Sequence, residues 1–226
     1  MVKVDELQAY GDTTRTGYRL INSKFPPIDL FDDVADSDEF EAVYAMQGLT
    51  NPRLRNELGN LNLLAKDEIP YGITGLYYAI GPFVHVNPDG SRFSNGDYGV
   101  LYIGDSPETA LSEVKHHQQV YWSNVEDLAF ERFVFRQLKC TYTSGGVVSV
   151  PPSQKEVLAP DNYTQSRQLG AELHRKGIAG VHYPSVRYAG GECFGFFTPK
   201  KITEIIQTVH IEMIFNGRIV STAALS

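Results

Sequence analysis

The chain has 226 residues, of which 42% are hydrophobic and 21% charged, a composition typical of a globular protein with one sizeable core. Its formal net charge of -7 argues against a general nucleic-acid binder, because such proteins carry excess Lys and Arg that displace phosphate counterions. The first residues include no apolar signal region, and the longest apolar stretch, residues 76–86, is interrupted by Gly81 and Pro82. We therefore expect a cytoplasmic protein without a membrane segment.

The first elements in chain order are a strand and a helix. A short alternating segment around Arg19 predicts a strand. Residues 36–48 predict a helix, because Ser37 can cap it, acidic residues occupy its first turn and Gly48 can end it. A charged stretch after Pro52 predicts a second short helix, followed by loops.

The second half of the chain is richer in strands. Residues 98–104 (YGVLYIG) form an apolar run typical of an inner strand, and a helix follows with Ser106 as its cap. Further strands are predicted at residues 128–143, 178–183, 194–198 and 202–215, with a helix from Asn162 to near Gly177. Strands that first alternate with helices and then run together predict an α+β fold with a mixed sheet. No GxGxxG or GxxxxGK[ST] motif supports a dinucleotide-binding or P-loop alternative.

The helix after Ser106 carries the most informative carboxylate. Its predicted core-facing stripe consists of Ala110, Val114, His117 and Tyr121. Glu113 lies only about 60° from Ala110 on a helical wheel, so its carboxylate should point toward the protein body. A structural ion pair is the commoner role for such a residue and catalysis the rarer one, and both stay open.

A turn-rich loop, residues 87–96 (NPDGSRFSNG), carries Arg92 close to the following strand. Loops of this kind often hold ligands, and the guanidinium offers a rigid fork of donors that matches phosphate oxygens. On an acidic chain, such an arginine suits a small anionic molecule better than a polymer. The alternative, a surface arginine that stabilises its own loop, is equally compatible with the sequence.

Other reactive residue types form no diagnostic pattern. The six histidines include no HExxH or paired Cys/His spacing, so we expect no metal. Cys140 and Cys193 are expected to be buried free thiols without a function. Ser185 lies in YPSVR rather than in a GxSxG elbow, and is either a turn serine or a ligand-binding hydroxyl.

Three segments together resemble a known family. Residues 87–117 and residues 163–197 (YTQSRQLGAELHRKGIAGVHYPSVRYAGGECFGFF) resemble the RES domain, and residues 17–34 (GYRLINSKFPPIDLFDDV) resemble the start of a longer RES subgroup. The resemblance covers most of the chain from residue 17 to residue 197. It implies one domain over residues 1–226, similar in fold to ADP-ribosyltransferase toxins, with a helical insertion at residues 36–75.

The resemblance also assigns the site. The arginine, glutamate and serine after which the family is named fall on Arg19, Glu113 and Ser185. A second family arginine falls on Arg92, followed by Phe93 where the family usually has tryptophan, and the strand tyrosine falls on Tyr102.

The implied activity is consumption of NAD. Glu113 would stabilise the oxocarbenium-like state, Arg19 and Arg92 would hold the diphosphate or an incoming phosphate, Tyr102 would stack on nicotinamide, and Ser185 would bond the ligand. Family members cleave NAD by phosphorolysis or transfer ADP-ribose, often as toxins silenced by a protein antitoxin. The resemblance thus implies NAD as substrate, phosphate as a co-substrate and an antitoxin partner, and a homo-oligomer remains open. A protein ADP-ribosyltransferase and a non-catalytic nucleotide- or partner-binding module are the alternatives.

Overall fold

A nine-stranded sheet organises the part of the chain that the computed structural model describes, residues 4–25, 34–50 and 59–225. Its strands are β1 (Gln8–Ala9), β2 (Thr14–Asn22), β3 (Leu101–Gly104), β4 (Phe130–Thr143), β5 (Val147–Ser149), β6 (Gly180–Pro184), β7 (Glu192–Phe196), β8 (Ile202–Asn216) and β9 (Ile219–Leu225). The α-helices are α1 (Ser37–Thr50), α2 (Leu76–Val84), α3 (Pro107–Ser123) and α4 (Thr164–Arg175).

The order of the strands is β1-β5-β6-β7-β3-β2-β4-β8-β9. The β5–β6 pair is parallel and the other described pairs are antiparallel, so the predicted α+β fold with a mixed sheet is confirmed. The central strand β2 pairs with β4 along all nine of its residues and with β3 at Tyr18, opposite Gly104. Arg19, on β2, is therefore in the middle of the sheet.

The helices bury three apolar clusters against this sheet. Leu76, Ile80 and Phe83 of α2 pack on one cluster with Leu101 and Ile103. Val100 and Tyr102, which alternate with those β3 residues, instead join a cluster that includes Leu169 and Leu173 of α4. The third cluster joins Ala110 of α3 to Phe133 and Met213 of β4 and β8, with Leu111, Val114 and Trp122 packed against it.

The predicted core-facing stripe of α3 is wrong beyond Val114. His117 is exposed and Tyr121 is 60% exposed, whereas Trp122 stacks on Phe133 with 4.4 Å between ring centroids. The large indole finds an aromatic partner on β4, so the buried face of the helix runs through Leu111, Val114 and Trp122. His117 is thereby free to face a cavity.

Other differences concern local boundaries. The helix predicted to end at Gly48 continues to Thr50, and the short helix predicted after Pro52 falls largely outside the described residues. The apolar stretch interrupted by Pro82 forms α2, with Gly75 in a left-handed conformation before its first residue. Burial of one side of this helix outweighs the backbone hydrogen bond that a proline cannot donate.

Candidate active site

A cavity of about 360 Å³ lies over β2 and β3, between α3 and the loop of residues 87–98. Its volume is within the range of about 300–1,000 Å³ that small-molecule sites occupy. Arg19, Arg92, Tyr102 and Glu113 all line it, although they come from four separate segments of the chain. Ser185 contacts it through Glu113.

Glu113 lies in the second turn of α3. Ser106 starts the helix, because its hydroxyl accepts from the Thr109 backbone N–H at 3.1 Å, and Pro107 follows in the first turn. This start confirms the predicted cap and fixes the rotation of the helix. Ala110 then faces the core, and Glu113, one turn later, faces the cavity.

Ser185 orients the Glu113 carboxylate. Its hydroxyl donates to Glu113 Oε1 at 2.7 Å and accepts from the backbone N–H groups of Arg187 and Tyr188 at 3.1 and 3.0 Å. The two turn N–H groups occupy the acceptor side of the hydroxyl, so its single proton is directed at the carboxylate. Ser185 is therefore a turn serine whose hydroxyl also bonds Glu113, and its hydrogen bond to a ligand stays a prediction.

The acidic group has no cationic partner in the described part of the chain. The hydrogen bonds that reach Glu113 there come from Ser185 and, at 3.7 Å, from the Cys193 thiol. Burial raises the pKa of that thiol, so it acts as a neutral neighbour of the carboxylate. Among the described residues, Glu113 therefore takes no part in a structural ion pair, the commoner role of a helical glutamate.

Arg92 is buried, with 6% of its surface exposed, in the loop between α2 and β3. Its Nη1 donates to the carbonyl oxygens of Ala159 and Val157 at 2.9 and 3.4 Å, and its Cζ lies 4.5 Å from the centroid of the Tyr163 ring. Nη2 is buried and has no hydrogen-bond partner among the described residues. A buried charged donor without a partner is costly, so this atom favours an anionic ligand.

Tyr102 connects the two arginines of the cavity. Its hydroxyl accepts from the Phe93 backbone N–H at 2.9 Å and shares a hydrogen bond with the Ser91 hydroxyl at 2.8 Å, while its carbonyl oxygen accepts from Arg19 Nη1 at 3.2 Å. Burial raises the pKa of Tyr102 to about 12, so the phenol stays neutral. The hydroxyl end of this side chain therefore holds the Arg92 loop, and the ring lines the cavity.

Arg19 adds a second positive charge. Burial lowers the pKa of its guanidinium below the ordinary value, but arginine keeps its proton in proteins at neutral pH. Its hydrogen bond to the Tyr102 carbonyl uses Nη1 and supplies no negative charge. Arg19 and Arg92 thus make the cavity a local positive site on an acidic chain.

Three further cavity residues were not predicted as site residues. Tyr163 stacks on Arg92, Cys193 contacts Glu113, and His117 lines the cavity one turn after Glu113. The i, i+4 spacing of Glu113 and His117 places them on one side of α3 and was a usable signal. Partial desolvation by the surrounding protein atoms is the main cause that lowers the pKa of His117 below its ordinary value, which favours the neutral imidazole.

The described residues form neither a metal-binding cluster nor a membrane-spanning helix. Across residues 4–25, 34–50 and 59–225, no group of three or more His, Cys, Asp or Glu side chains is arranged to hold a metal ion. No helix within the described ranges has the length and apolar character needed to cross a bilayer.

The fold and the cavity define a class: an α+β protein with a mixed sheet whose central strands carry a pocket of two arginines and an oriented carboxylate. The model of the RES domain matches residues 69–216, which is most of the chain. The protein belongs to the RES-domain family. The matched segment contains Arg92, Tyr102, Glu113 and Ser185, whereas Arg19 precedes it.

Two similar proteins add context. The chain is 28% identical over 204 residues to the uncharacterized protein y4oC of Sinorhizobium fredii. The alignment covers 90% of this chain and 84% of that protein. A crystal structure of the M. tuberculosis MbcT-MbcA toxin-antitoxin complex aligns with a TM-score of 0.46 and 12% identity, over 87% of this chain and 85% of that one.

Proposed function

We propose that this protein is an enzyme that cleaves the nicotinamide–ribose bond of NAD, as a phosphorylase or a glycohydrolase, and that it acts as a toxin controlled by a protein antitoxin. Membership of the RES-domain family supports the reaction class. The observation that carries the proposal is the convergence of Glu113, Arg19 and Arg92 on one cavity.

The carboxylate is suited to the charge that this cleavage develops. When the ribose–nicotinamide bond breaks, its electron pair goes to the pyridinium nitrogen, nicotinamide leaves as a neutral molecule, and positive charge builds on the ribose. Ser185 occupies Glu113 Oε1, so Oε2 is the oxygen available to a ribose hydroxyl or to the developing charge. A phosphate or water oxygen then bonds to the same ribose carbon, the proton of the attacking O–H passes to solvent, and no oxidation or reduction takes place.

The arginines are suited to the diphosphate. Arg92 Nη2 is an unused, buried cationic donor, and Arg19 adds a second charge across Tyr102. Arginine binds phosphate oxygens through directed, charge-assisted hydrogen bonds. The Tyr102 ring offers a surface for the nicotinamide, while its hydroxyl keeps the Arg92 loop in place.

Incubation of the purified protein with NAD, with and without phosphate, tests the proposal. Release of nicotinamide with ADP-ribose 1″-phosphate would identify a phosphorylase, and release with free ADP-ribose a glycohydrolase. Radioactive ADP-ribose retained on a macromolecule would favour a protein ADP-ribosyltransferase instead. Unchanged NAD under all conditions would contradict the enzyme and leave a binding module.

The toxin role has a separate test. Induced expression of the wild-type chain should stop growth and lower cellular NAD, while a Glu113→Gln variant expressed to the same level should do neither. Growth arrest by both variants would show that any toxicity is independent of the cavity.

A further inference from the structure

Tyr163 lies directly before α4 and lines the cavity, yet the chemistry above does not use it. Arg92 Cζ is 4.5 Å from the centroid of its ring, and Arg167 Cζ, one turn along α4, is 6.0 Å from it. A guanidinium within about 6 Å of an aromatic face is attracted by the ring's quadrupole. The Tyr163–Arg92 contact is well inside that limit.

The contacts of Arg92 leave its guanidinium little freedom. Two carbonyl oxygens, of Ala159 and Val157, accept from Nη1, and the Tyr163 ring covers the group. Without these contacts a long arginine side chain samples many rotamers, and a ligand would have to order it. With them, the buried Nη2 is held in place before a ligand arrives.

We propose that Tyr163 is a positioning residue for Arg92, whose ring holds the guanidinium so that Nη2 meets an oxygen of the substrate's diphosphate. The identity of that substrate rests on the proposed function. The positioning itself applies to any ligand with a diphosphate group. Because Arg92 binds the charge and Glu113 acts at the reacting bond, loss of the ring weakens binding and leaves the bond-breaking step nearly unchanged.

Two variants separate the aromatic face from mere packing. Tyr163→Phe keeps the ring, and Tyr163→Leu keeps an apolar side chain without it. Measured by calorimetry, the Kd for inorganic pyrophosphate should rise about tenfold in the leucine variant and less than about twofold in the phenylalanine variant. The KM for NAD should rise by a similar factor in the leucine variant, with kcat changed less than about twofold.

Matched controls complete the design. Tyr121→Leu makes the same change at a 60% exposed position on α3 and should leave pyrophosphate binding as in the wild type. In an Arg92→Met background, Tyr163→Leu should have no further effect on the Kd. If circular dichroism shows that the leucine variant is not folded, Tyr163→Met replaces it as the variant without an aromatic face.

The outcomes distinguish this inference from the proposed function. Three results would each overturn the positioning role of Tyr163. The Tyr163→Leu variant could bind pyrophosphate as tightly as the wild type, or the leucine and phenylalanine variants could lose affinity equally. The third result is a wild-type protein that does not bind pyrophosphate. If the pyrophosphate pattern holds but the wild type leaves NAD intact, the positioning role stands and the NAD-cleaving function fails. If the Tyr163→Leu variant cleaves NAD with an unchanged KM, the NAD-cleaving function stands and the positioning role of Tyr163 fails.

Discussion

Ser185 and Glu113 act as a unit at the scale of single residues. A hydroxyl whose acceptor side is filled by two backbone N–H groups has one way to point its proton, and it points at Glu113 Oε1, 2.7 Å away. The carboxylate therefore reaches the cavity in one orientation, and the proposed reaction would need little reorganisation of this group as charge develops.

Replacement of the carboxylate tests that role directly. Glu113→Gln keeps the size of the side chain and a carbonyl oxygen for Ser185, but removes the charge. We expect NAD cleavage to fall by at least about a hundredfold while the Kd for NAD changes less than about threefold, measured by nicotinamide release and by calorimetry. Glu108→Gln, at an exposed position in the first turn of the same helix, is the control for loss of one negative charge. Equal loss of activity in both variants would argue against a special role for Glu113.

A second prediction concerns the Tyr102 hydroxyl. Tyr102→Phe removes the acceptor of the buried Phe93 backbone N–H, so we expect the free energy of unfolding to fall by about 1–3 kcal/mol in urea titrations. Tyr121→Phe deletes a hydroxyl at a 60% exposed residue and should cost less than about 0.5 kcal/mol. A Tyr102→Phe variant as stable as the wild type would mean that the loop finds another acceptor.

At the scale of elements, one side of α4 holds the loop that carries Arg92. Arg167 donates to the carbonyl oxygens of Asp89 and Ser91 at 2.7 and 3.0 Å, and Gly170 packs directly against Phe93. Further along the helix, His174 stacks on Tyr98 with ring centroids 4.0 Å apart. Tyr163, Arg167, Gly170 and His174 succeed one another at helical spacing, so a single helix surface shapes the loop that carries Arg92.

Gly170 provides the test of this surface. Alanine is the better helix former by about 1 kcal/mol, so Gly170→Ala should stabilise an isolated helix. In this fold a Cβ at that position would lie 2.0 Å from the Phe93 carbonyl oxygen, which belongs to backbone and cannot rotate away. We expect the packing clash to win, with a lower unfolding midpoint and a raised KM for NAD. Gln168→Ala, on the exposed side of the same helix, should change neither, and a stabilised Gly170→Ala variant would refute the tight contact.

The parts of the site that sequence could predict are those with local signals. Ser106 and Pro107 mark the start of α3, and that start alone turns Glu113 inward. The turn-rich loop likewise marks Arg92. Tyr163 gave no such signal, because its role depends on a contact with Arg92, which lies 71 positions earlier in the chain.

Long-range contacts also explain which strands and helices could not be predicted from the sequence. The central place of β2 depends on pairing with β4, more than a hundred residues away, which no local pattern encodes. The two-residue strand β1 is too short to show alternation, and α2 was obscured by its internal Pro82. The exposed Tyr121 shows that even a correct helical period leaves the direction of the buried face to tertiary partners.

At the scale of the whole molecule, we expect the buried His182 to make stability depend on pH. His182 is 9% exposed; its Nδ1 bonds to the Ser149 hydroxyl at 2.7 Å and its ring packs 4.4 Å from Tyr10. Burial lowers its pKa below the ordinary 6.5, and the neighbouring carboxylate of Glu192 only partly opposes this. The pKa of the partly buried His116 is lowered as well, mainly by burial.

The sign of the effect follows from proton uptake. Below about pH 6.5 the unfolded chain binds protons that the folded chain does not, so stability falls as the pH is lowered from about 7.5 to about 5. Urea midpoints across this range should show the decrease, and His182→Asn, which keeps a polar group near Ser149 but cannot titrate, should show a smaller one. The same slope in both proteins would exclude His182 as a contributor.

The position of β2 has one more consequence, for how the chain can be divided. The segment that carries the family pattern begins at residue 69, yet the strand between β3 and β4 comes from residues 14–22. A fragment starting at residue 69 would lack the strand between β3 and β4, which leaves the backbone N–H and C=O groups of those two strands without partners. It would keep Arg92 but lose Arg19. We expect such a fragment to be inactive on its own. Adding a separate N-terminal peptide that contains β2 should restore both the sheet and Arg19, so that recovery of activity would report the pairing of the two pieces.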